Sequence, residues 1–396
     1  MIQFDSRKVK KGDVFVAIKG QNFDGHDFIE EARSRGAVEI YEGKEKLGEL
    51  AKKYYGDPSS KIKVIGVTGT KGKTTTCHLI HHILTSLGHK CGIISTITTS
   101  GLHTTTPDII TLNRQLADMV KKGYEYAVVE VSSHGIDQGR VQGIKFEVGV
   151  LTNIAPEHLD YHKTFANYKK TKLDFIKSCT IQVIGNKKTS INILPGEFNN
   201  LNAELAVRVC EEFGVRKEDA MNTLKTFKLP DGRLEEIKTN KNFRVFVDFA
   251  HTPESLEAVL KYLRTLTKAM PAGRQGRLIS VFGCAGERDI KKRPKMGKIS
   301  TDLADLSIFT AEDPRSENIF DILKQMESKS NSKKFISIPQ RGEAIVYALS
   351  KARKGDVVAI LGKGHEKSMN LDGIHEIPWS DHKIVRKYLK KGNHGQ

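Results

Sequence analysis

The sequence predicts an α/β chain carrying two largely parallel sheets, and three observations predict it. Short apolar runs recur along the 396 residues, segments with helical spacing separate them, and polar or Gly-rich clusters directly follow several of the runs. The length suits two or three domains at roughly 150 residues each. At 38% hydrophobic and 28% charged, the composition is that of an ordinary globular protein. The 64 Lys+Arg against 47 Asp+Glu leave a formal charge of +17, which suits anionic partners without choosing among them. No apolar run reaches the ~18 residues of a spanning helix, so no membrane insertion is expected. The first residues, Met1 to Asp5, lack a basic-then-apolar signal pattern. Five scattered cysteines without a C-x-x-C argue against a disulfide framework or structural zinc site, and fit a reducing cytoplasm.

Taken in order, the elements begin with a strand at Val14–Ile18 and a helix from Phe28 to Arg35, stopped at Gly36. Pro58-Ser59-Ser60 reads as a hinge into the next unit. Val64-Ile65-Gly66-Val67 has the continuous apolar character of a buried parallel strand. A Gly-rich turn follows it, then a helix from about Thr74 to Leu87, with Leu79, Ile80, Ile83, Leu84 and Leu87 at helical spacing and Gly88 as the stop. Ala127–Val129 and Val148–Leu151 are further buried strands. Pro230-Asp231-Gly232 marks the next boundary. Beyond it come five strand candidates, Val245–Val247, Leu278–Phe282, Leu306–Thr310, Phe335–Ile338 and Val357–Leu361, separated by helical segments. That pattern predicts a second, Rossmann-like doubly wound sheet, whose ligands would bind outside the carboxyl ends of its strands. Four of those ends carry Asp248, Gly283-Cys284-Ala285-Gly286, Glu312-Asp313-Pro314-Arg315 and Gly362-Lys363-Gly364, which points to a second ligand site.

Gly66 to Thr74 lies between a strand and a helix, as a phosphate-binding loop must. Glycines let backbone N–H groups turn toward phosphate oxygens, and the helix amino terminus adds its positive dipole end. Lys73 would reach the β- and γ-phosphates, and the Thr74 hydroxyl would bind Mg²⁺. The strict G-x-x-x-x-G-K-[ST] pattern asks for Gly where this chain has Val67. A strand-end acid alone says little, but with this loop upstream Glu130 reads as a carboxylate near Mg²⁺. Asn153, His158, Asp160 and His162 crowd one loop ahead of Tyr168 and Lys172. They form either a polar, metal-capable site or a solvated loop with a capping Asn. His78, His81 and His82 read as partly exposed helix surface. The basic runs Lys291-Lys292-Arg293, Lys329–Lys334 and Arg386–Lys391 read as solvated surface, since no nucleic-acid motif accompanies them.

With these residues in place, the chain resembles the Mur ligases, ATP-dependent enzymes that add amino acids to the peptidoglycan precursor. It is most similar to those adding the third residue to UDP-N-acetylmuramoyl-L-alanyl-D-glutamate. The resemblance implies three domains: a short mixed UDP-sugar-binding domain at 1–61, a central P-loop ATP-binding domain at 62–230 and a doubly wound amino-acid-binding domain at 231–396. Asp5-Ser6-Arg7, Gly12 to Ala17 and Asp24-Gly25-His26 are similar to the uridine-binding segment. Thr68 to Thr76 resembles the ATP loop, whose usual form has Asn in place of Lys71, and implies nucleotide contacts from Gly69, Thr70, Lys71, Gly72, Lys73, Thr74 and Thr75. Thr105-Thr106-Pro107 and Glu130 to His134 resemble motifs contacting the sugar nucleotide and Mg²⁺, which implies Thr105, Thr106, Ser133, Gln138 and Arg140 on the UDP-sugar. Glu157 to His162, with Tyr168 and Lys172, resembles the segment bearing the family's carbamylated lysine. That implies a Lys172 carbamate and His158 around a second Mg²⁺. Asn199 and Asn202 resemble the adenine-side asparagines, while Arg233 and Asp248 resemble further nucleotide contacts.

The resemblance also implies an amino-acid pocket of Arg288, Asp313, Arg315, Gly362 and Glu366. Relatives taking meso-diaminopimelate typically show Asp-Asn-Pro-Arg, whose Arg grips the distal carboxylate. Here Arg315 remains, with Asp at 313, so meso-diaminopimelate is favoured over L-lysine. The implied reaction runs through an acyl phosphate on the D-glutamate carboxylate and yields amide, ADP and phosphate, with ATP and Mg²⁺ as cofactors. The chain is expected to act as a monomer and not to bind nucleic acid. The start is close to Asp5-Ser6-Arg7, and about twenty residues lie between Phe175 and Gly196 where the family has a longer insertion. The motifs on both sides remain, which favours an active minimal form. The other readings are a folate-polyglutamating ligase, which shares loop and architecture, and a nucleic-acid-stimulated P-loop ATPase.

Overall fold

The computed structural model describes residues 1–20, 23–98, 104–185, 188–268 and 276–391. The chain forms two compact units, one of residues 1–194 with 199–227, the other of 195–198 with 228–396.

The first unit starts with a small parallel sheet of β1 (Ile2–Gln3), β2 (Val14–Ala17) and β3 (Glu39–Glu42). Side chains alternate across a strand, so Phe15 and Ala17 pack with Val9 and Ala32 while Val16 faces the other way. Val16 shares its core with Ile2, Leu47 and Ala51, and also with Val64, Ala127 and Val129. The stretch expected as a hinge, Pro58–Ser60, is a short 3-10 turn with Pro58 and Ser59 buried inside this unit.

The larger sheet contains β4 (Lys63–Thr68), β5 (Cys91–Ile94), β6 (Tyr126–Glu130), β7 (Val148–Leu151) and β8 (Ile181–Ile184), all parallel, in the order β5-β6-β4-β7-β8. β4 lies in the middle, between strands that follow it on opposite sides, and that is where an open α/β sheet leaves its crevice. The helix Lys73–Ser86 begins there and buries Leu79, Ile80, Ile83 and Leu84 of the expected face, while Leu87, expected with them, falls at the helix's carboxyl cap and is exposed.

The second unit is built on β9 (Glu235–Ile237), β10 (Arg244–Asp248), β11 (Leu278–Phe282), β12 (Leu306–Phe309), β13 (Phe335–Ser337) and β14 (Val357–Leu361). Their order is β13-β12-β11-β14-β10-β9, and only β9 runs antiparallel. All five expected strands are present. β9 and the hairpin of β15 (Ser368–Asn370) with β16 (Glu376–Pro378) were not expected, since none carries an apolar run. Both sheet faces are covered: Leu278 and Phe282 enter one core, Ile279 and Val281 the other.

Arg293 corrects the expectation of solvated surface at 291–293. It is fully buried and donates to Glu317 Oε2 at 2.7 Å and Gln325 Oε1 at 2.8 Å. A charge that deep must be paired, and sequence neighbours do not reveal a partner on another helix.

Candidate active site

The turn after β4 depends on the backbone freedom of two glycines, Gly69 and Gly72. Gly69 has φ +147°, and a Cβ there would fall onto the Thr152 hydroxyl. The turn is laced to the strand β7 exit on one side: Thr70 N donates to Asn153 O at 2.9 Å, Lys71 N donates to Asn153 Oδ1 at 3.0 Å, and Thr152 Oγ1 donates to Lys71 O at 2.6 Å. Val67, the departure from the strict pattern, is a fully buried strand residue paired with Glu130 and Val150. The phosphate turn therefore starts only after Thr68, and position 67 belongs to the sheet core.

Glu130 closes β6 beside the turn and is 2% exposed. Its Oε1 accepts from Thr74 Oγ1 at 2.9 Å, and its Oε2 accepts from the N–H and hydroxyl of Thr96, both at 3.0 Å. A carboxylate and a hydroxyl at the amino end of a helix form a hard oxygen donor set, which fits Mg²⁺. Among the described residues, no three His, Cys, Asp or Glu side chains gather into a metal cage. Lys73 folds over the turn and donates to Gly69 O and Thr70 O, each at 3.0 Å. Thr75 is buried in the first helical turn, and the Asn202 carboxamide packs against Gly72. Asn199 is buried one turn earlier on the same helix, Glu197–Glu211, an element without a clear apolar periodicity in the sequence.

Lys172 reaches the same turn from the helix Phe165–Ser178. It is 1% exposed, its Nζ donates to Gly69 O at 2.9 Å and Thr68 Oγ1 at 3.3 Å, and it lies over the Tyr168 ring at 4.9 Å. Burial, aided by the Lys73 charge, holds its pKa well below the usual lysine value, so the amine is driven toward its neutral, nucleophilic form. Tyr168 in turn hydrogen-bonds Thr70 Oγ1 at 2.9 Å. His158 caps the short helix Leu159–His162 at a left-handed φ of +55°. Its ring meets His134 at 4.8 Å, and desolvation pushes its pKa down although the residue is exposed. Lys71 pairs with Glu157 at 2.6 Å.

Thr106, Ser133, Gln138 and Arg140 are brought together beside Glu130. Thr106 Oγ1 donates to Glu130 O at 3.0 Å, Arg140 donates to Thr106 O at 2.9 Å and to Gln138 Oε1, and Ser133 is buried in the helix Ser133–Asp137. Thr105 is half-buried in the same segment. Ser6 is not joined to them by any described contact. Its hydroxyl is spent on Glu31 at 2.7 Å within the small amino-terminal sheet.

In the second unit the expected residues form two groups along the carboxyl edge of the sheet. Asp248 is buried and accepts from Leu234 N at 2.6 Å and Ala250 N at 2.7 Å, while Arg233 stacks over Phe249 at 4.5 Å. Burial pushes the Asp248 carboxyl up. In the other group Asp313 sits at φ +44° and Arg315 at φ +55°, on either side of Pro314. Both Asp313 oxygens accept from Lys363, at 2.8 and 2.9 Å, and Lys363 also pairs with Glu366 at 2.6 Å. Arg315 donates to Gly286 O at 3.1 Å, and Gly362 follows β14 alongside. Arg288 is exposed, next to Glu287, whose carboxylate takes the Ser316 hydroxyl. Two residues outside the expected set hold this edge together. Lys363 is almost fully buried, and Arg341, fully buried, donates to Ala311 O, Leu361 O and the Asp381 carboxylate. Lys363 belongs to the Gly362-Lys363-Gly364 cluster, but nothing local distinguishes a buried lysine from a solvated one.

Residues 1–65 match the model of the Mur ligase family, catalytic domain; 67–241 match the Mur ligase middle domain; and 232–364 match the Mur ligase, glutamate ligase domain. The UDP-N-acetylmuramoyl-L-alanyl-D-glutamate--2,6-diaminopimelate ligase 1 of Clostridium acetobutylicum is 34% identical over 98% of this chain and 94% of its own length. That alignment runs over 463 residues, more than this chain holds, so the relative has stretches without a counterpart here. A solved UDP-N-acetylmuramoyl-L-alanyl-D-glutamate--2,6-diaminopimelate ligase is 27% identical, with a TM-score of 0.64, over 100% of this chain and 95% of that one. The MurF ligase from Thermotoga maritima in complex with ADP shares the fold, with a TM-score of 0.64 at 20% identity over 98% and 97%.

Proposed function

This chain belongs to the Mur ligase family, and from that membership we propose that it joins 2,6-diaminopimelate to UDP-N-acetylmuramoyl-L-alanyl-D-glutamate, consuming ATP. It is an ADP-forming ligase. The observation that carries the reading is a single turn, after β4, on which Lys73, the Thr74–Glu130 pair and the buried Lys172 all converge.

In this reading residues 1–61, 62–230 and 231–396 serve as UDP-sugar-binding, ATP-binding and amino-acid-binding domains. The turn's N–H groups and Lys73 hold the ATP phosphates, with Lys73 exchanging its carbonyl partners for phosphate oxygens. Thr74 and Glu130 would hold Mg²⁺, which supplies charge neutralisation when bound. The D-glutamate carboxylate attacks the γ-phosphoryl group to give an acyl phosphate, and the incoming amine displaces phosphate from it. Positioning and charge neutralisation carry both steps. The neutral Lys172 amine is suited to capture CO₂ as a carbamate, an anion that with His158 would face a second cation. Thr106, Ser133, Gln138 and Arg140 line the UDP-sugar side. Asp313, Arg315, Gly362, Glu366 and Arg288 form the amino-acid pocket, with Arg315 taking the distal carboxylate bidentately.

The direct test is phosphate release from ATP with the UDP-linked dipeptide, comparing 2,6-diaminopimelate, L-lysine and no amino acid. Release requiring both dipeptide and diaminopimelate is expected; release with lysine alone overturns the amino-acid assignment. Lys172→Ala should lose turnover by about 10²-fold, partly restored by short carboxylic acids. Undiminished turnover would remove the carbamate.

A further inference from the structure

In the second unit one buried carboxyl oxygen stands without a hydrogen-bond partner among the described residues: Oε2 of Glu312. Glu312 is 7% exposed and lies three residues past the end of β12, one residue before Asp313 and three before Arg315. The strands on the inner side of β12 end in glycine. A Cβ on Gly283, after β11, would come within 2.8 Å of the Glu312 Cβ, and one on Gly362, after β14, would fall onto Oε2 itself. Only glycine at 362, with φ +103°, lets the backbone of that pocket lie directly against this carboxyl.

Four charged groups face Glu312: Lys292 and Arg341 from two helices, and Lys363 and Glu366 from the loop after β14. Every cation among them is committed elsewhere. Lys292 donates to His251 O at 2.9 Å, Arg341 is held by Asp381, and Lys363 is held by Asp313 and Glu366. Glu312 is therefore a buried carboxyl, surrounded by cations that do not hydrogen-bond it, in the group of residues that the functional reading assigns to the amino acid. An arriving ammonium group is a donor that would complete it.

We propose that Glu312 is the catalytic base that takes a proton from the ammonium group of the incoming amino acid. The inference rests on the ligase reading above. The ammonium N–H bond breaks toward Glu312 Oε2, and its electron pair stays on nitrogen. Nitrogen then bonds to the acyl carbon as the carbon–oxygen bond to phosphate breaks, and phosphate leaves with that pair. The second surplus nitrogen proton goes to the departing phosphate, and Glu312 returns its own to water. Burial pushes the Glu312 carboxyl up to about 8. That is far better matched to an ammonium titrating at roughly 8 to 10 than an ordinary glutamate would be.

The experiment compares wild-type enzyme, Glu312→Gln and Glu312→Asp, with ATP and the UDP-linked dipeptide, using either 2,6-diaminopimelate or hydroxylamine as nucleophile. Hydroxylamine is uncharged at neutral pH and needs no base. In Glu312→Gln the ratio of amide to hydroxamate should fall about 10²-fold, and the acid limb of kcat/KM for the amino acid should shift to the amine's own titration. Glu312→Asp should keep the limb at a lower rate, and it carries the test if the Gln variant does not fold. An unchanged ratio in either folded variant, or an unchanged pH profile in Glu312→Gln, overturns the base. Equal loss of amide and hydroxamate overturns it too, assigning Glu312 to acyl-phosphate formation or to structure. Wild-type enzyme that forms neither amide nor hydroxamate overturns the ligase reading itself.

Discussion

The phosphate turn of the first unit and the charged edge of the second are both polar sites at the carboxyl ends of parallel strands, but they are made differently. The turn is a backbone object. Its shape depends on Gly69 and on neutral hydrogen bonds to Asn153, Thr152 and Tyr168, and its charges are laid over it. The edge is a side-chain object in which Arg341–Asp381 and Lys363 with Asp313 and Glu366 hold the loops in place. A ligand that is all phosphate is met by N–H groups whose positions the fold sets. A zwitterionic ligand calls for charges of both signs, and these must be balanced when no ligand is present. The first site should therefore break on an added carbon, the second on a removed charge.

The largest expected effect is on the second. Asp381→Asn leaves Arg341 buried without its counter-charge and should cost about 3–5 kcal/mol in urea unfolding. Burial alone would raise the Asp381 carboxyl, but Arg341 more than offsets this and holds it below the ordinary Asp value. The pair's contribution is thus present above the unfolded Asp value and lost as pH falls through the lower folded one. The variant should lack that acid-side loss, and an unchanged acid slope would separate the pair from the fold's stability. Next comes Gly69→Ala, whose Cβ displaces the Thr152 hydroxyl and with it the turn; ATP-dependent phosphate release should drop about 10²–10³-fold. Near-normal release would mean that the turn is shaped by its side chains after all. The smallest is Arg315→Ala. Loss of the bidentate grip on the distal carboxylate, at least ~1.5 kcal/mol, should lower kcat/KM for diaminopimelate about tenfold or more relative to lysine. An equal fall for both removes Arg315 from substrate choice.

The phosphate turn was legible because its parts are contiguous: strand, Gly-rich turn, Gly-Lys-Thr and amphipathic helix occupy adjacent residues. The same holds for the five strands of the second sheet, whose apolar runs carry their own signal, and for the polar clusters at their ends. The helix Glu197–Glu211 was hidden by its asparagine-rich first turn.

The sequence by itself therefore determined the α/β class, the strand placements, the phosphate turn and which strand ends carry polar residues. Each of these is dictated by neighbours in the chain, through apolar periodicity and the backbone freedom of glycine. Only the tertiary structure decided which charges are buried and with whom. Lys172 is seated under a turn about a hundred residues earlier in the chain, Arg293 is removed from solvent, Ser6 is spent on Glu31, the Asp at 313 is neutralised by Lys363, and Glu312 is left without a partner. The cost of burying a charge depends on what else arrives at the same point in space, and no local pattern carries that information.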